Sequence, residues 1–108
     1  MSVDDVEPAR EAMDLGVVLA AVADPLRRQV IYELALSDDG VERTCASFGL
    51  PVSKSTRSHH FRVLREAGLV KQVDHGNFSG VTLRRDDIDQ QFPGLLRLLS
   101  TERPMDQK

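Results

Sequence analysis

One stretch of the sequence constrains the fold more than any other, because residues typical of helix ends mark both of its limits. Ser53 is a good N-cap, and Gly68 is typical of a left-handed C-terminal stop. Between them, Phe61 and Leu64 lie three residues apart, as expected for the inward side of a helix. We therefore predict one helix over residues 53–67, with its other faces left for polar side chains.

The residues on either side complete a winged helix-turn-helix. The segment before this helix predicts a short helix over residues 44–48, and Pro51 favours a turn directly after it. Beyond the long helix the apolar residues no longer follow a helical period, and residues 69–73 and 79–83 predict two strands joined by a hairpin. The predicted fold class is therefore mainly α with a two-stranded β-wing.

Two further helices precede this unit and one follows it. Helical spacing of apolar residues predicts a first helix over residues 9–23, and Asp24 is a good N-cap for a second over residues 25–36. The last helix covers residues 86–100, with a kink or a short break at Pro93-Gly94. The apolar stripes of the first and last helices consist of Leu15, Val18, Leu19, Val22, Ile88, Phe92, Leu95 and Leu99.

The chain of 108 residues is long enough for one domain but not for a large core. We expect that domain to span residues 9–100, between flexible segments at residues 1–8 and 101–108. Because so small a core leaves apolar surface uncovered, the two stripes predict a homodimer with two-fold symmetry that buries them against a second copy.

The distribution of charge, rather than its total, points to nucleic acid. The net charge of −3 by itself argues against a DNA-binding protein. Residues 54–71, however, hold five basic residues and one acid, so this window carries a net charge of +4. DNA affinity depends on local positive charge that faces phosphates. On charge alone, a solvated helix face on an ordinary domain is an equally good interpretation.

A polar face on the predicted helix favours double-stranded DNA as the partner. Its hydroxyl, imidazole and guanidinium groups recur at helical spacing and hydrogen-bond both phosphates and base edges. A helix fits the major groove, and a hairpin beside it reaches the minor groove or the adjacent phosphates. The residues predicted to contact DNA are Lys54, Ser55, Thr56, Arg57, Ser58, His59, Arg62, Lys71, His75 and Arg84.

These segments resemble the ArsR family of winged-helix transcriptional regulators. The pattern S-x-S-x-x-S-x-H-[LF]-x-x-L-x-x-A-G-L-V runs here from Ser53 to Val70, and the ADPLRRQVIYEL segment at residues 23–34 extends the likeness. The resemblance implies a homodimer whose first and last helices pack across the two-fold axis. It also implies paired recognition helices on an inverted repeat. Many members of the family are repressors that an effector, often a metal ion, releases from DNA.

The metal sites of the family match this sequence poorly. One common site uses a Cys-x-Cys pair near the short helix, where this chain has Cys45 alone, and another uses His on the last helix, where this chain has none. The weak candidates are Cys45, His60 and His75, which would bind an ion such as Ni²⁺ or Zn²⁺. Packing is the favoured interpretation of the first two and exposure that of the third. The effector stays open between a metal, an organic molecule, redox chemistry and none.

Other classes of protein find little support. No nucleophile elbow, glycine-rich phosphate loop or catalytic carboxylate pair is present, so we do not expect an enzyme. The longest apolar run, residues 15–23, is shorter than the roughly 20 residues of a membrane span. A single cysteine and the lack of a signal peptide favour the cytoplasm. Two alternatives stay open: a winged-helix module for protein contacts, and a transcriptional activator of the same family.

Overall fold

The computed structural model describes residues 7–102, so most of the two end segments predicted to be flexible lies outside the described residues. In this range the helices are short, and none has the length and apolar content needed to cross a membrane. The regular elements are α1 (Leu15–Ala23), α2 (Pro25–Leu36), β1 (Glu42–Thr44), α3 (Lys54–Ala67), β2 (Val70–Asp74), β3 (Ser79–Leu83), α4 (Arg85–Gln91) and α5 (Leu95–Leu99).

Aspartate side chains fix where the first two helices begin. Asp14 accepts a hydrogen bond from an amide in the first turn of α1 at 3.0 Å, so α1 begins at Leu15 and not at residue 9 as the sequence predicts. The residues before it form only a short 3-10 helix, Arg10–Ala12. Asp24 caps α2 in the same way and accepts from two amides at 2.8 and 3.2 Å, which confirms the predicted start of that helix.

The sheet has one strand more than the predicted wing. β2 and β3 form the expected antiparallel hairpin, and β1 pairs with the other side of β3, with Arg43 opposite Val81. The helix predicted over residues 44–48 is a 3-10 helix, Cys45–Phe48, and Thr44 belongs to β1. A strand of three residues is too short to show an alternating pattern, which is why the sequence does not indicate it.

The predicted last helix is two helices. α4 ends at Gln91 and α5 begins at Leu95. Between them Gly94 has a φ of 91°, in the left-handed region that favours glycine, so the chain turns here instead of bending within one helix. Proline in a sequence indicates a kink or a break equally well, and the glycine beside it resolves the choice toward a break.

The core lies between α1, α2, the inner side of α3 and the sheet. From α3 it receives Phe61, Leu64 and Ala67, which are at most 3% exposed. The Phe61 ring lies against Phe48 of the 3-10 helix, with 5.6 Å between ring centroids. This packing confirms the inward side predicted for α3 and directs its polar side chains to solvent.

Asp87 in α4 ties the residues before α1 to the end of β3. Its carboxylate accepts from Arg10 Nε at 2.7 Å and from Arg84 Nε at 2.9 Å. These hydrogen bonds, above all the one from Arg10, hold the pKa of Asp87 below its ordinary value of 3.8. Arg84 also donates to the carbonyl of Pro8 at 2.7 Å, so Pro8, which the sequence places in a flexible segment, is hydrogen-bonded to the domain.

We expect Asp87→Asn to lower the free energy of unfolding at neutral pH but not in acid. A carboxyl whose pKa is lowered by folding contributes stability above its unfolded pKa, and it loses that contribution as the pH falls through the folded value. In urea unfolding, the difference in the free energy of unfolding between Asp87→Asn and wild type should be constant above about pH 5. It should shrink toward zero as the pH falls below about 4. Asp89→Asn, at an exposed position of the same helix, is the control. A gap that did not change with pH would contradict this role.

Candidate nucleic-acid interface

The outward face of α3 carries the polar residues that the sequence singles out. At its start Ser53 caps the helix and accepts from the Thr56 amide at 3.2 Å. Ser53 Oγ also lies 3.0 Å from Thr56 Oγ1 and 3.4 Å from Ser55 Oγ, so hydroxyl groups cluster in the first turn. Hydroxyls both donate and accept, which suits them to phosphates and base edges. The exposed residues of this face are Lys54, Ser55, Thr56, Ser58, His59 and Arg62.

Two arginines of α3 differ in how far they reach into solvent. Arg62 is exposed, and its Nε donates to Glu66 one turn further along at 2.9 Å. Exposed pairs of this kind contribute little to stability, and the other guanidinium N–H groups remain for a second partner. Arg57 is half-buried, and its charge acts on the Cys45 thiol, so it lies at the edge of the polar face and not at its centre.

His60 is turned inward and joins α3 to the first two helices. Its side chain is buried, and its Nδ1 lies 3.0 Å from Arg27 Nη1. Because a guanidinium only donates hydrogen bonds, Nδ1 accepts and the ring proton lies on Nε2. Arg27 also donates through Nε to the carbonyl of Ala21 in α1 at 2.7 Å. His60 is thus the packed, hydrogen-bonded histidine that the sequence favours.

The tip of the wing is held by a contact between a histidine and a glutamate. His75 Nε2 lies 2.6 Å from Glu42 Oε2, and the imidazole stacks on Phe78 with 4.7 Å between ring centroids. Glu42 reaches His75 by crossing Gly80, where a Cβ atom would lie 2.5 Å from the carboxylate. His75 is exposed at the tip as expected, but a DNA phosphate would have to displace Glu42 from Nε2. Lys71 is exposed on β2.

Arg84, predicted to contact DNA, lies inside the domain instead. Its side chain is only 13% exposed, and its donors are directed to Asp87 and to the Pro8 carbonyl. A guanidinium with so little exposed surface, whose donors have such partners, is not presented to phosphates, so this prediction is corrected. Arg85 is half-buried, and its donors are also engaged, because it donates to three backbone carbonyls at the C-terminal end of α2.

The three candidate metal ligands lie apart. Cys45 is half-buried beside the core, and burial raises the pKa of its thiol, which disfavours the thiolate that binds metals. His60 and His75 have Arg27 and Glu42 as partners. Within residues 7–102, no group of three His, Cys, Asp or Glu side chains is arranged to hold a metal ion. A metal effector therefore stays a prediction.

Part of the predicted dimer stripe is core. Val18, Val22 and Ile88 are at most 5% exposed in their own chain, so we correct them from interface to core residues. Helical spacing finds the apolar side of α1, but α2 and α3 already cover most of that side. Leu15 and Leu19 of the same stripe remain exposed.

An open apolar groove lies where the start of α1 meets the turn between α4 and α5. Its volume is about 390 Å³. The predicted interface residues Phe92, Leu95 and Leu99 are partly buried against the core, and the first two line the groove. Leu98, which the sequence does not single out, is exposed because α5 turns Leu96 inward. The groove is lined by Leu15, Phe92, Pro93, Gly94, Leu95 and Leu98.

Known proteins share this arrangement. Residues 24–72, from the cap of α2 into β2, match the family described as bacterial regulatory protein, arsR family. The chain is also 34% identical to the uncharacterized HTH-type transcriptional regulator YceK of Bacillus subtilis (strain 168), over 76% of this chain and 82% of that protein. The chain belongs to the ArsR family. As a member of it, the protein is a transcriptional regulator with a DNA-binding helix-turn-helix.

A solved structure agrees with the fold of this ArsR-family regulator. The ArsR-like transcriptional regulator from Rhodococcus sp. RHA1 is similar to it with a TM-score of 0.59 and 26% sequence identity. The similarity covers 78% of this chain and 77% of that chain. The predicted winged helix-turn-helix is therefore confirmed, with β1 as an addition. Both of these relatives are named as transcriptional regulators.

Three residues that shape the interface of the ArsR-family chain escape sequence reasoning. Glu7, Arg27 and Glu42 each contact a partner that lies at least 33 positions away along the chain. A helical or alternating period covers only near neighbours, so it carries no sign of such pairs. The sequence gives one hint, for Arg27 alone: this basic residue lies one turn after the acidic cap Asp24.

Proposed function

We propose that this ArsR-family regulator is a cytoplasmic repressor that binds an inverted repeat in duplex DNA as a homodimer. In this proposal α3 is the recognition helix and enters the major groove, while the β2–β3 wing lies against the neighbouring backbone. Two copies related by a two-fold axis place two recognition helices on the two half-sites.

The observation that carries the proposal is the division of α3 into two sides. One side is sealed in the core, and the other presents hydroxyls, His59 and Arg62 to solvent over two turns. The only acid on this helix is Glu66, near its end, and it already pairs with Arg62. An exposed helix face without repelling charge and with donors suited to base edges supports direct readout in the major groove.

The apolar groove supports the homodimer. Exposed apolar patches on small domains mark association surfaces, and this groove is lined in part by the exposed Leu15 and Leu98. A second copy that places its own exposed leucines in the groove would bury all of this surface in a closed pair. The repressor action is proposed by analogy with the family, in which many members block transcription until an effector releases them.

Selection of binding sites from random duplexes tests the proposal. We expect the wild-type chain to select an inverted repeat, with an affinity that falls steeply as salt is raised. Adding Zn²⁺ or Ni²⁺ to the same binding reaction tests the metal effector. A chain that selects no duplex would instead favour a module for protein contacts. Stimulation of transcription from a promoter with the selected site would identify an activator.

Arg62→Ala should weaken binding to the selected site without unfolding the protein. A good bidentate contact with a base contributes about 1–3 kcal/mol, so we expect a loss of about 5- to 150-fold. The free energy of unfolding should change by less than about 0.5 kcal/mol, because the pair with Glu66 is exposed. Glu66→Ala is the matched control, since it removes the partner and leaves the guanidinium. Unchanged affinity in Arg62→Ala would mean that another face of α3 reads the DNA.

A further inference from the structure

The residues before α1 lie across the outer edge of the wing and the end of α3. We call residues 7–13 the strap. Its first residue, Glu7, has a side chain that is only 9% exposed. Glu7 Oε2 accepts a hydrogen bond from the Gln72 amide of β2 at 2.9 Å, and it also accepts from Arg65 Nε of α3 at 3.4 Å. One buried carboxylate therefore contacts both elements that are proposed to bind DNA.

The other end of the strap is anchored where α3 passes into β2. Met13 is buried against Gly68, where a Cβ atom would lie only 2.8 Å from the Met13 side chain. Gly68 has a φ of 89° and ends α3, so it serves both the turn and the close approach of Met13. Asp14 follows at once and caps α1. The strap thus connects α1 to the recognition helix and to the wing.

The contact between Glu7 and Gln72 satisfies an amide that the sheet leaves open. Among residues 7–102, β2 is an outer strand of the sheet, so the amides on its far side have no strand there as a partner. A carboxylate that accepts from a backbone N–H makes a charge-assisted hydrogen bond, roughly twice as strong as a neutral one. The Arg65 side chain is only 12% exposed, so this ion pair is also shielded from water. These two contacts fix the strap to β2 and α3 together.

We propose that Glu7 is a positioning residue that sets the wing relative to α3 when the regulator binds its operator. The inference rests on the proposed function, in which both elements engage the same half-site. Without Glu7, the outer edge of β2 loses its tie to α3, and the wing samples more orientations before it meets DNA. Ordering it again at the operator has an entropic cost that weakens binding.

Charge and positioning predict opposite signs for Glu7→Ala. If only charge matters, removal of an acid strengthens the binding of DNA. If Glu7 positions the wing, Glu7→Ala weakens operator binding by about fivefold, which corresponds to roughly 1 kcal/mol. Glu7→Gln keeps an oxygen that accepts from the Gln72 amide, and it should restore part of the lost affinity.

The experiment compares four full-length proteins on one duplex selected by the wild type: wild type, Glu7→Ala, Glu7→Gln and Glu11→Ala. Glu11 is exposed on the same strap, so its removal changes the charge equally without the contact, and Glu11→Ala should bind as wild type or slightly tighter. Hydrogen exchange at the Gln72 amide is measured in parallel. We expect the exchange rate to rise more in Glu7→Ala than in any of the other three proteins.

If Glu7→Ala bound the operator as tightly as the wild type or more tightly, this inference would be overturned, even if the variant were less stable. If Glu7→Ala does not fold, Glu7→Gln decides, since weaker binding with faster exchange at Gln72 supports the inference and unchanged values overturn it. A wild type that selects no duplex would overturn the proposed function as well, whereas equal affinities for a selected duplex overturn the positioning role only.

Discussion

Leu98→Glu is expected to split the proposed homodimer and to lower operator affinity by about 10²- to 10⁴-fold, the range over which linked binding sites exceed single ones. In the single chain Leu98 is 67% exposed, so the new carboxylate stays in water and the monomer keeps its fold. In the dimer each carboxylate would be buried against apolar groups without a partner, which is costly. Sedimentation at tens of micromolar protein, combined with circular dichroism, measures both effects.

Leu36→Glu is the matched control for this substitution. Leu36 is 60% exposed but lies at the end of α2, outside the groove. It should therefore remain dimeric and should bind the operator as tightly as the wild type. A Leu98→Glu protein that stays dimeric, or a Leu36→Glu protein that does not, would move the interface away from α5.

Leu64→Ala should lower the free energy of unfolding by about 2–5 kcal/mol, the range for truncating a fully buried leucine. Leu64 has no exposed surface and lies on the inner side of α3. Domains have a total stability of about 5–15 kcal/mol, so this loss is a large part of the whole. Urea unfolding followed by circular dichroism gives the value directly.

Arg62→Ala is the natural comparison for Leu64→Ala because it lies two positions away on the same helix. The substitution at Leu64 should reduce stability while the folded fraction keeps its preference for the selected sequence. The substitution at Arg62 should leave stability nearly unchanged and should weaken the preference for the selected sequence. Suppose that Leu64→Ala changed the preference for DNA sequences even at a concentration of folded protein that saturates the DNA. The two sides of α3 would then not act independently.

The fold could be predicted wherever one local signal is strong. Ser53 and Gly68 mark the ends of α3, and Asp24 marks the start of α2, because capping is a local event that involves only a few neighbouring residues. β1 and the start of α1 were missed for the opposite reason. β1 exists because β3 offers it a pairing edge, and α1 begins only at Leu15 because Asp14 caps it, although the sequence predicts that the helix begins at residue 9.

The candidate site divides in the same way. The exposure of Arg62 and the burial of His60 follow from helical periodicity, and both agree with the structure. Arg84 was assigned to the interface by its place beside the hairpin, although the distant Pro8 carbonyl and the nearby Asp87 carboxylate both accept hydrogen bonds from it. A pattern along the chain reports which residues are basic, but not which of them already have an acceptor.

The pairing of β1 with β3 sets an order in which the chain closes on itself. β2 and β3 meet across a short turn in which the His75 amide donates to the Phe78 carbonyl at 2.9 Å, and hairpins of this kind form in microseconds. Thr44 meets Gly80 only when the whole of α3 lies between them as a loop, and the entropy lost on closing a loop grows with its length. We therefore expect the contact that encloses the helix proposed to read DNA to form after the hairpin, and the short first strand to open before the hairpin does.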